Sequence, residues 1–209
     1  MNNTELKTGI LVKQYRISIL KEIFRKSIHL CSAFVPFFLS LAYKPVLIVL
    51  FMLLSFYTIS EIIRLKGINV PIVSKITSIA ARKRDENKFV LGPVTLVIGI
   101  IIASILWKSD AAKVGIFALA FGDGFASLVG KLIGRVHIPF TKGKTAAGSL
   151  ACFYAVYISS FAVGHNGLLS LILAFVAMVV EVIPMTDFDN IVIPIVIGGL
   201  YQYLSVILV

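Results

Sequence analysis

Long apolar stretches separated by short polar segments run through the chain from about residue 27 onward. A helix needs about 20 mostly apolar residues to cross the roughly 30 Å of hydrocarbon in a bilayer. Seven stretches approach that length, at approximately 27–43, 45–64, 89–107, 114–133, 145–164, 167–184 and 191–208. The pattern predicts an all-α, polytopic bundle of about seven transmembrane helices. The first stretch is the shortest, so six spans are the alternative.

The first 26 residues have a different pattern, in which apolar and basic positions share a helical period. Ile10, Ile17, Leu20 and Phe24 recur near helical spacing, and lysines and arginines occupy positions between them. A basic amphipathic helix of this kind lies on an anionic membrane surface. The chain therefore divides into a membrane-surface helix at 1–26, touching anionic lipid headgroups, and a transmembrane domain at 27–209.

Composition supports a membrane protein, because 58% of the residues are hydrophobic and 14% are charged. The mean hydropathy is +0.97, far above that of a soluble domain. A net charge of +10 could indicate nucleic-acid binding. The basic residues flank apolar spans instead, where they attract anionic headgroups and set orientation, so no nucleic-acid partner is expected.

The distribution of basic residues predicts how the chain is oriented. Lysine and arginine are retained on the cytoplasmic side of membrane proteins. With seven spans and a cytoplasmic N-terminus, only Lys44, Lys108 and Lys113 of the 20 lysines and arginines fall outside. We expect an integral protein of a prokaryotic cell membrane. Its chemically capable side chains gather on the cytoplasmic face, which favours an enzyme that takes one substrate from the cytoplasm and a lipid from the bilayer.

The segment LAFGDGFASLVGKLIG, residues 119–134, places Asp123 inside an apolar run. Asp123, Ser127 and Lys131 are spaced four residues apart and share one helical face. A charge at membrane depth costs about 2.5–3.5 kcal/mol, so it faces a partner, a cavity or an ion. An internal ion pair of Asp123 with Lys131 or another base is the structural alternative.

The segment RVHIPFTKGKTAAGS, residues 135–149, is rich in groups that bind anions. Lys142 and Lys144 flank Gly143, where the backbone can approach an anion closely, and Thr145 stands where the next helix begins. These features predict a phosphate-binding loop. A basic loop that only touches lipid headgroups is the alternative.

The segment EVIPMTDFDNIVIP, residues 181–194, gathers carboxylates in a short turn. Glu181, Asp187 and Asp189 repel one another unless a cation such as Mg²⁺ or a lysine from another loop joins them, and Asn190 could ligate or cap. The alternative is that Asp187 or Asp189 caps the last helix.

Further polar candidates lie upstream of these segments. Glu61 and Arg64 are three residues apart near the end of the second span, and His29 stands in RKSIH at the start of the first. Arg84, in ARKRDENKFVLGP, could contact a triphosphate, although a solvated charge run is the default interpretation. Acids suited to Mg²⁺ and lysines suited to phosphate therefore converge on one end of a bundle, as phosphoryl transfer requires.

The segments FGDGFASLVGKLIG, KGKTAAGS and EVIPMTDFDNIVIP, with RKSIH and the Glu61–Arg64 pair, resemble the CTP-dependent lipid-alcohol kinases. That family includes dolichol kinase, phytol kinase and the fungal CTP-dependent diacylglycerol kinase. The resemblance implies that 27–209 is a catalytic domain, CTP is the phosphoryl donor and Mg²⁺ is the cofactor. A membrane lipid alcohol would be the acceptor, namely a prenol or polyprenol such as phytol or dolichol, or diacylglycerol.

The resemblance also implies roles for individual residues. Asp123 and Lys144 are the catalytic candidates, with Asp123 as general base or metal ligand. The phosphate-binding candidates are Lys131, Lys142, Gly143, Thr145, Ser149 and Arg84. The metal-binding candidates are Asp123, Glu181, Asp187 and Asn190. Other polar candidates for the site are His29, Glu61, Arg64, Ser127 and Asp189.

Two other functions stay open from the sequence. The family is similar to phosphatidate cytidylyltransferases, which would transfer a cytidylyl group from CTP. The kinase branch is favoured because the HGG and DRxD segments of the cytidylyltransferases are missing from this chain. A non-enzymatic transporter that uses Asp123 as an ion relay is the alternative from a different class.

Overall fold

The computed structural model is a bundle of helices, as the apolar pattern predicts. It describes residues 3–68, 70–71, 73–74, 77, 85, 88–141 and 143–208, with side chains from residue 12 onward. The described residues contain no β-strand, only one isolated bridge between His137 and Thr145. The prediction of an all-α fold is therefore confirmed.

The chain begins with α1 (Asn3–Cys31), which runs without interruption across residue 26. A 3₁₀ turn at Ser32–Phe34 follows, and then the short helix α2 (Val35–Leu41). Pro36 stands in the first turn of α2, where its missing N–H costs nothing, but within a continuous helix it would remove a hydrogen bond. The predicted span 27–43 is thus two helical pieces, and the boundary between domains at residue 26 stays a prediction.

The later helices follow the predicted spans closely. They are α3 (Tyr43–Leu65), α4 (Gly92–Leu106), α5 (Ser109–Phe117), α6 (Gly124–Ile133), α7 (Ala146–Gly164), α8 (Gly167–Val182) and α9 (Asp189–Leu208). A π-helical turn, Ala118–Asp123, joins α5 to α6. Thr145 accepts a hydrogen bond from the Gly148 N–H (3.2 Å) and so caps α7, as the sequence predicts.

Four helices are long and apolar enough to cross a membrane: Tyr43–Leu65, Ser109–Ile133, Ala146–Gly164 and Asp189–Leu208. Gly92–Leu106 and Gly167–Val182 are apolar but shorter. Many large apolar side chains on these helices are exposed, among them Phe51, Phe56, Ile158, Phe175 and Val206. Outward-facing side chains of this kind need hydrocarbon around them, so the molecule is an integral membrane protein. The number of spans and the cytoplasmic N-terminus stay predictions.

The α5–π–α6 helix is central to the bundle and contacts α1, α7 and α9. Small residues allow these close contacts. A methyl group added at Gly122 would lie 2.8 Å from Cγ2 of Val156, and one added at Gly130 would lie 2.8 Å from Oγ1 of Thr145. Gly122 of the π-helical turn and Gly130 of α6 therefore let this helix pack closely against α7 and its capping residue Thr145, as small residues at helical spacing do in membrane bundles.

Gly99→Ala is expected to destabilise the bundle. A methyl group at Gly99 would overlap the backbone carbonyl oxygen of Asn190, and two helix backbones cannot move apart cheaply. Overpacking of this kind typically costs about 1–3 kcal/mol. Gly92→Ala is the matched control, because nothing lies within 4 Å of its added methyl group. Thermal unfolding in detergent should show a lower midpoint for Gly99→Ala alone, and equal midpoints would contradict this packing.

Candidate functional site

Asp123 lies at the end of the π-helical turn and is only 3% exposed. Lys26 of α1, which is 2% exposed, forms an ion pair with Oδ2 of Asp123. His29, one turn further along α1, places Nδ1 3.1 Å from the same oxygen, without the angles of a hydrogen bond. The predicted burial of Asp123 is observed, and of the alternatives for its partner the base is Lys26 rather than Lys131.

Ser127 and Lys131 follow Asp123 along α6 and also contact α1. Ser127 donates a hydrogen bond to Glu22, and Lys131 Nζ donates to the Ser18 carbonyl oxygen at 2.7 Å. Burial alone would raise the pKa of Glu22, but the charge of Arg25 and the Ser127 hydrogen bond hold it below its usual value. These contacts attach α1 to the polar face of α6 that the sequence predicts.

The loop between α6 and α7 is held by backbone pairing at its base. The Ile138 N–H donates to the Lys144 carbonyl (2.9 Å), and the Ala146 N–H donates to the Val136 carbonyl (2.9 Å). Gly143 has a φ of +96°, which residues with side chains rarely adopt. Lys142 and Arg84, two predicted phosphate ligands, lie outside the described residues.

Lys144 reaches from this loop to Glu181 near the end of α8, with 2.5 Å between Nζ and Oε1. The Ser149 hydroxyl donates to the other oxygen of Glu181 at 3.3 Å. Burial would lower the pKa of Lys144, but the Glu181 carboxylate outweighs burial and raises it. A predicted phosphate ligand and a predicted metal ligand therefore form an ion pair with each other.

The polar residues of the turn between α8 and α9 have different contacts. Asn190 donates through Nδ2 to Thr95 Oγ1 (2.9 Å) and to the Gly92 carbonyl (3.3 Å), which ties α9 to α4. Asp189 accepts the N–H of the adjacent Asn190 (3.0 Å) at the first turn of α9. Asp187 lies with Asp189 and Asn190 in the wall of one cavity.

Glu61 and Arg64 form the i,i+3 pair that their spacing predicts, with two contacts of 2.8 Å. Glu61 also accepts the Val90 N–H (2.9 Å), and Arg64 donates to the Lys88 carbonyl (2.9 Å). Neither side chain is among those that line the two cavities around Asp123. The pair therefore holds the chain before α4 against α3.

Two cavities meet at Asp123. The larger has a volume of about 650 Å³ and extends along α6 to the α6–α7 loop, with Ser127, Lys131, Lys144 and Glu181 in its wall. The smaller, of about 40 Å³, has one apolar side, formed by Ile28, Val90, Pro93 and Leu96, and charged or polar residues around the rest of its wall. Arg25, Lys26, Asp123, Thr186 and Asp189 line both cavities.

The predicted Mg²⁺ site can be tested against the donors present. The described side chains contain no group of three or more His, Cys, Asp or Glu residues placed to hold a metal ion. Mg²⁺ bound with a nucleotide needs only one or two carboxylates, because phosphate oxygens and water complete its octahedron. Asp123 and Asp189 line the same cavity and could supply them. Glu181 and Asn190 are already engaged by Lys144 and Thr95.

The sequence prediction did not include Lys26 among the site residues, although it included His29. A signal was available, because Lys26 and His29 are three residues apart and therefore share a helical face. Lys26 looked like one more cation of an amphipathic surface helix. Only the tertiary contact with Asp123, 97 positions later, distinguishes it.

Several known proteins are similar to this chain in sequence. No solved structure and no family model matches it. An uncharacterized protein of Methanocaldococcus jannaschii is 29% identical over 187 residues, 88% of this chain and 94% of the relative. A probable chloroplastic phytol kinase of Triticum aestivum is 36% identical over 132 residues, 54% of this chain and 44% of the kinase.

The CTP-dependent diacylglycerol kinase 1 of Eremothecium gossypii is 33% identical over 85 residues, 41% of this chain and 26% of the kinase. The matched parts of the two kinases are thus less than half of each kinase's length. These matches confirm the resemblance that the motifs indicate: the chain is similar to kinases that phosphorylate lipid alcohols.

Proposed function

We propose that the protein is a CTP-dependent kinase that transfers the γ-phosphoryl group to the hydroxyl of a membrane lipid alcohol. The acceptor is a prenol or polyprenol, such as phytol or dolichol, or diacylglycerol. The observation that carries this proposal is the position of Asp123 where a large polar cavity meets a small cavity that has one apolar side. A nucleotide and a lipid hydroxyl can approach one carboxylate from these two sides.

The reaction forms a bond between the lipid oxygen and the γ-phosphorus and breaks the bond from that phosphorus to the β,γ-bridging oxygen. CDP leaves, and the hydroxyl proton must be taken up. Lys26 and His29 both approach Oδ2 of Asp123, which leaves Oδ1 to accept that proton or to ligate a cation. Positioning and charge neutralisation supply most of the rate enhancement in such reactions.

Three lysines of the site have separate roles in this scheme. Lys144 and Lys131 line the large cavity and bind phosphate oxygens. Bound Mg²⁺, held by Asp123 and Asp189, would neutralise charge on the phosphates. Lys26 is a positioning residue that keeps Asp123 ionised and fixed. We place this face of the bundle in the cytoplasm, in contact with anionic lipid headgroups, because soluble nucleotide must reach it.

The position of a radiolabel tests the proposal. Purified protein is incubated with Mg²⁺, CTP and a panel of prenols, diacylglycerol and phosphatidate. Label from the γ-phosphate should appear in the lipid product, and label from the cytosine ring should not. The opposite result would indicate cytidylyl transfer, and transfer of neither label to any acceptor in the panel would refute the kinase assignment.

Lys144→Ala is expected to weaken nucleotide binding more than turnover. Hydrogen bonds to charged groups contribute about 1.5–3 kcal/mol, so KM for CTP should rise about 10- to 100-fold. Lys113→Ala is the matched control, since Lys113 pairs with exposed Asp110 and lies away from both cavities around Asp123. Steady-state kinetics with varied CTP measure the effect. An unchanged KM would exclude Lys144 from the phosphate site.

A further inference from the structure

We infer that the large cavity has a nucleobase subsite at the end remote from Asp123, formed by the rings of Tyr15 and His137. This inference rests on the proposed function, because it assumes that a nucleotide occupies the cavity. The subsite fixes which end of the nucleotide lies at which end of the cavity. The terminal phosphate lies at Asp123, beside the small cavity with its apolar side, and the base therefore lies at the opposite end.

Tyr15 is placed at that end by a contact with α6. Its hydroxyl donates to the Lys131 carbonyl at 3.4 Å, and its side chain is 54% exposed. Lys131 follows Asp123 by eight residues, which is about 12 Å along a helix. Tyr15 also lines the large cavity, so a ligand there can reach much of its ring.

His137 is placed at the same end by the pairing of the loop. It forms an isolated antiparallel bridge with Thr145 and lines the large cavity. A methyl group added at Gly134, the residue after α6, would overlap Oγ1 of Thr145. His137 therefore lies beside the last turn of α6, which is the turn that Tyr15 contacts. Gly130 and Gly134, also in the cavity wall, carry no side chains to fill the space.

The groups suited to phosphate lie between the two ends. A methyl group added at Gly148 would lie 2.6 Å from the Ala126 carbonyl and 3.3 Å from Cα of Gly130, so the first turn of α7 is level with the middle of α6. Ser149 of that turn contacts Glu181, and Glu181 holds Lys144. The order along the cavity is Asp123, then the Lys144 group, then Tyr15 and His137. A nucleoside triphosphate has the same order of terminal phosphate, inner phosphates and base.

Aromatic rings are suited to the base end because every base has a π-face that stacks on them, at about 1–3 kcal/mol per base. Phe140 belongs to the same loop as His137 and is fully exposed, but it is not among the residues that line the cavity. Phe140 therefore provides the control, because it is an aromatic residue on the same loop that should not contact the nucleotide.

The test compares two ligands on the purified full chain in detergent by calorimetry. MgCTP carries a base, whereas Mg²⁺-tripolyphosphate carries only the phosphates. In the double variant Tyr15→Leu/His137→Leu, CTP affinity should fall at least about tenfold, as expected from lost stacking. Tripolyphosphate affinity should stay unchanged, which also shows that the variant is folded. Phe140→Leu should bind CTP like the wild type.

Three results would overturn the subsite. An unchanged CTP affinity in the double variant would place the base elsewhere, and an equal loss for both ligands would show that the rings support the phosphate end or the fold. A loss of CTP affinity in Phe140→Leu equal to that in the double variant would remove the assignment to these two rings. Failure of the wild type to bind CTP would instead refute the proposed function, and the subsite with it.

Discussion

Asp123→Asn is expected to lower turnover about 10²- to 10⁴-fold, the usual contribution of a general acid or base. The amide cannot accept the hydroxyl proton and carries no charge for a cation. It keeps a carbonyl oxygen that can accept a hydrogen bond from Lys26, so the protein should still insert and fold, with a lower unfolding midpoint because buried Lys26 has lost its counter-charge. Initial rates at saturating CTP and lipid alcohol measure the effect.

Asp110→Asn provides the matched control for this substitution. The Asp110 side chain is 62% exposed and lies in the first turn of α5, more than three helical turns before Asp123. The same chemical change there should leave turnover unaltered. Wild-type turnover in Asp123→Asn would refute the assigned role of this carboxylate, whereas equal losses in both variants would indicate a general effect on insertion.

Helix positions were predictable because the signal for them is local. A run of about 20 apolar residues in a bilayer forms a spanning helix, because a helix satisfies its own backbone hydrogen bonds. The helices α3, α7 and α9 follow the predicted spans. The break before Pro36 was less predictable. Apolar content continues unchanged through Ser32–Phe34, and hydropathy does not distinguish one long helix from two short pieces.

The site was predictable where its residues are neighbours in sequence. Helical spacing brings Asp123, Ser127 and Lys131 to the wall of one cavity, and the Glu61–Arg64 pair forms as its spacing predicts. Partners distant in sequence could not be assigned in this way. Nothing in the spacing of residues tells whether Asp123 pairs with Lys131 or with Lys26, because the answer depends on how α1 packs against α6.

The contact of α1 with Asp123 changes the interpretation of the N-terminal segment. Ile17 and Leu20, two apolar residues of the predicted membrane-surface helix, are exposed. Lys26 and His29 at the end of the same helix are buried in the site. One continuous helix therefore combines a surface that suits the lipid interface with a wall of the proposed active site. A shift of α1 on the membrane would move the side chains of Lys26 and His29 relative to Asp123.

Lys26→Met is expected to lower both stability and activity. It leaves the buried carboxylate of Asp123 without its lysine, and breaking a buried ion pair in this way costs about 3–5 kcal/mol. Turnover should fall about 100-fold or more, because a carboxylate that has lost its positioning charge is no longer held ionised in place. Thermal unfolding in detergent and initial rates on the same preparation measure the two effects.

The double variant Lys26→Met/Asp123→Asn separates the two roles of Lys26. It has no unpaired charge at this position, so its unfolding midpoint should rise above that of Lys26→Met, while its activity stays lost. Equal midpoints for the single and double variants would show that the ion pair is not the source of the lost stability. Recovery of stability without recovery of turnover is the result expected if Lys26 holds in place a carboxylate that the reaction itself needs.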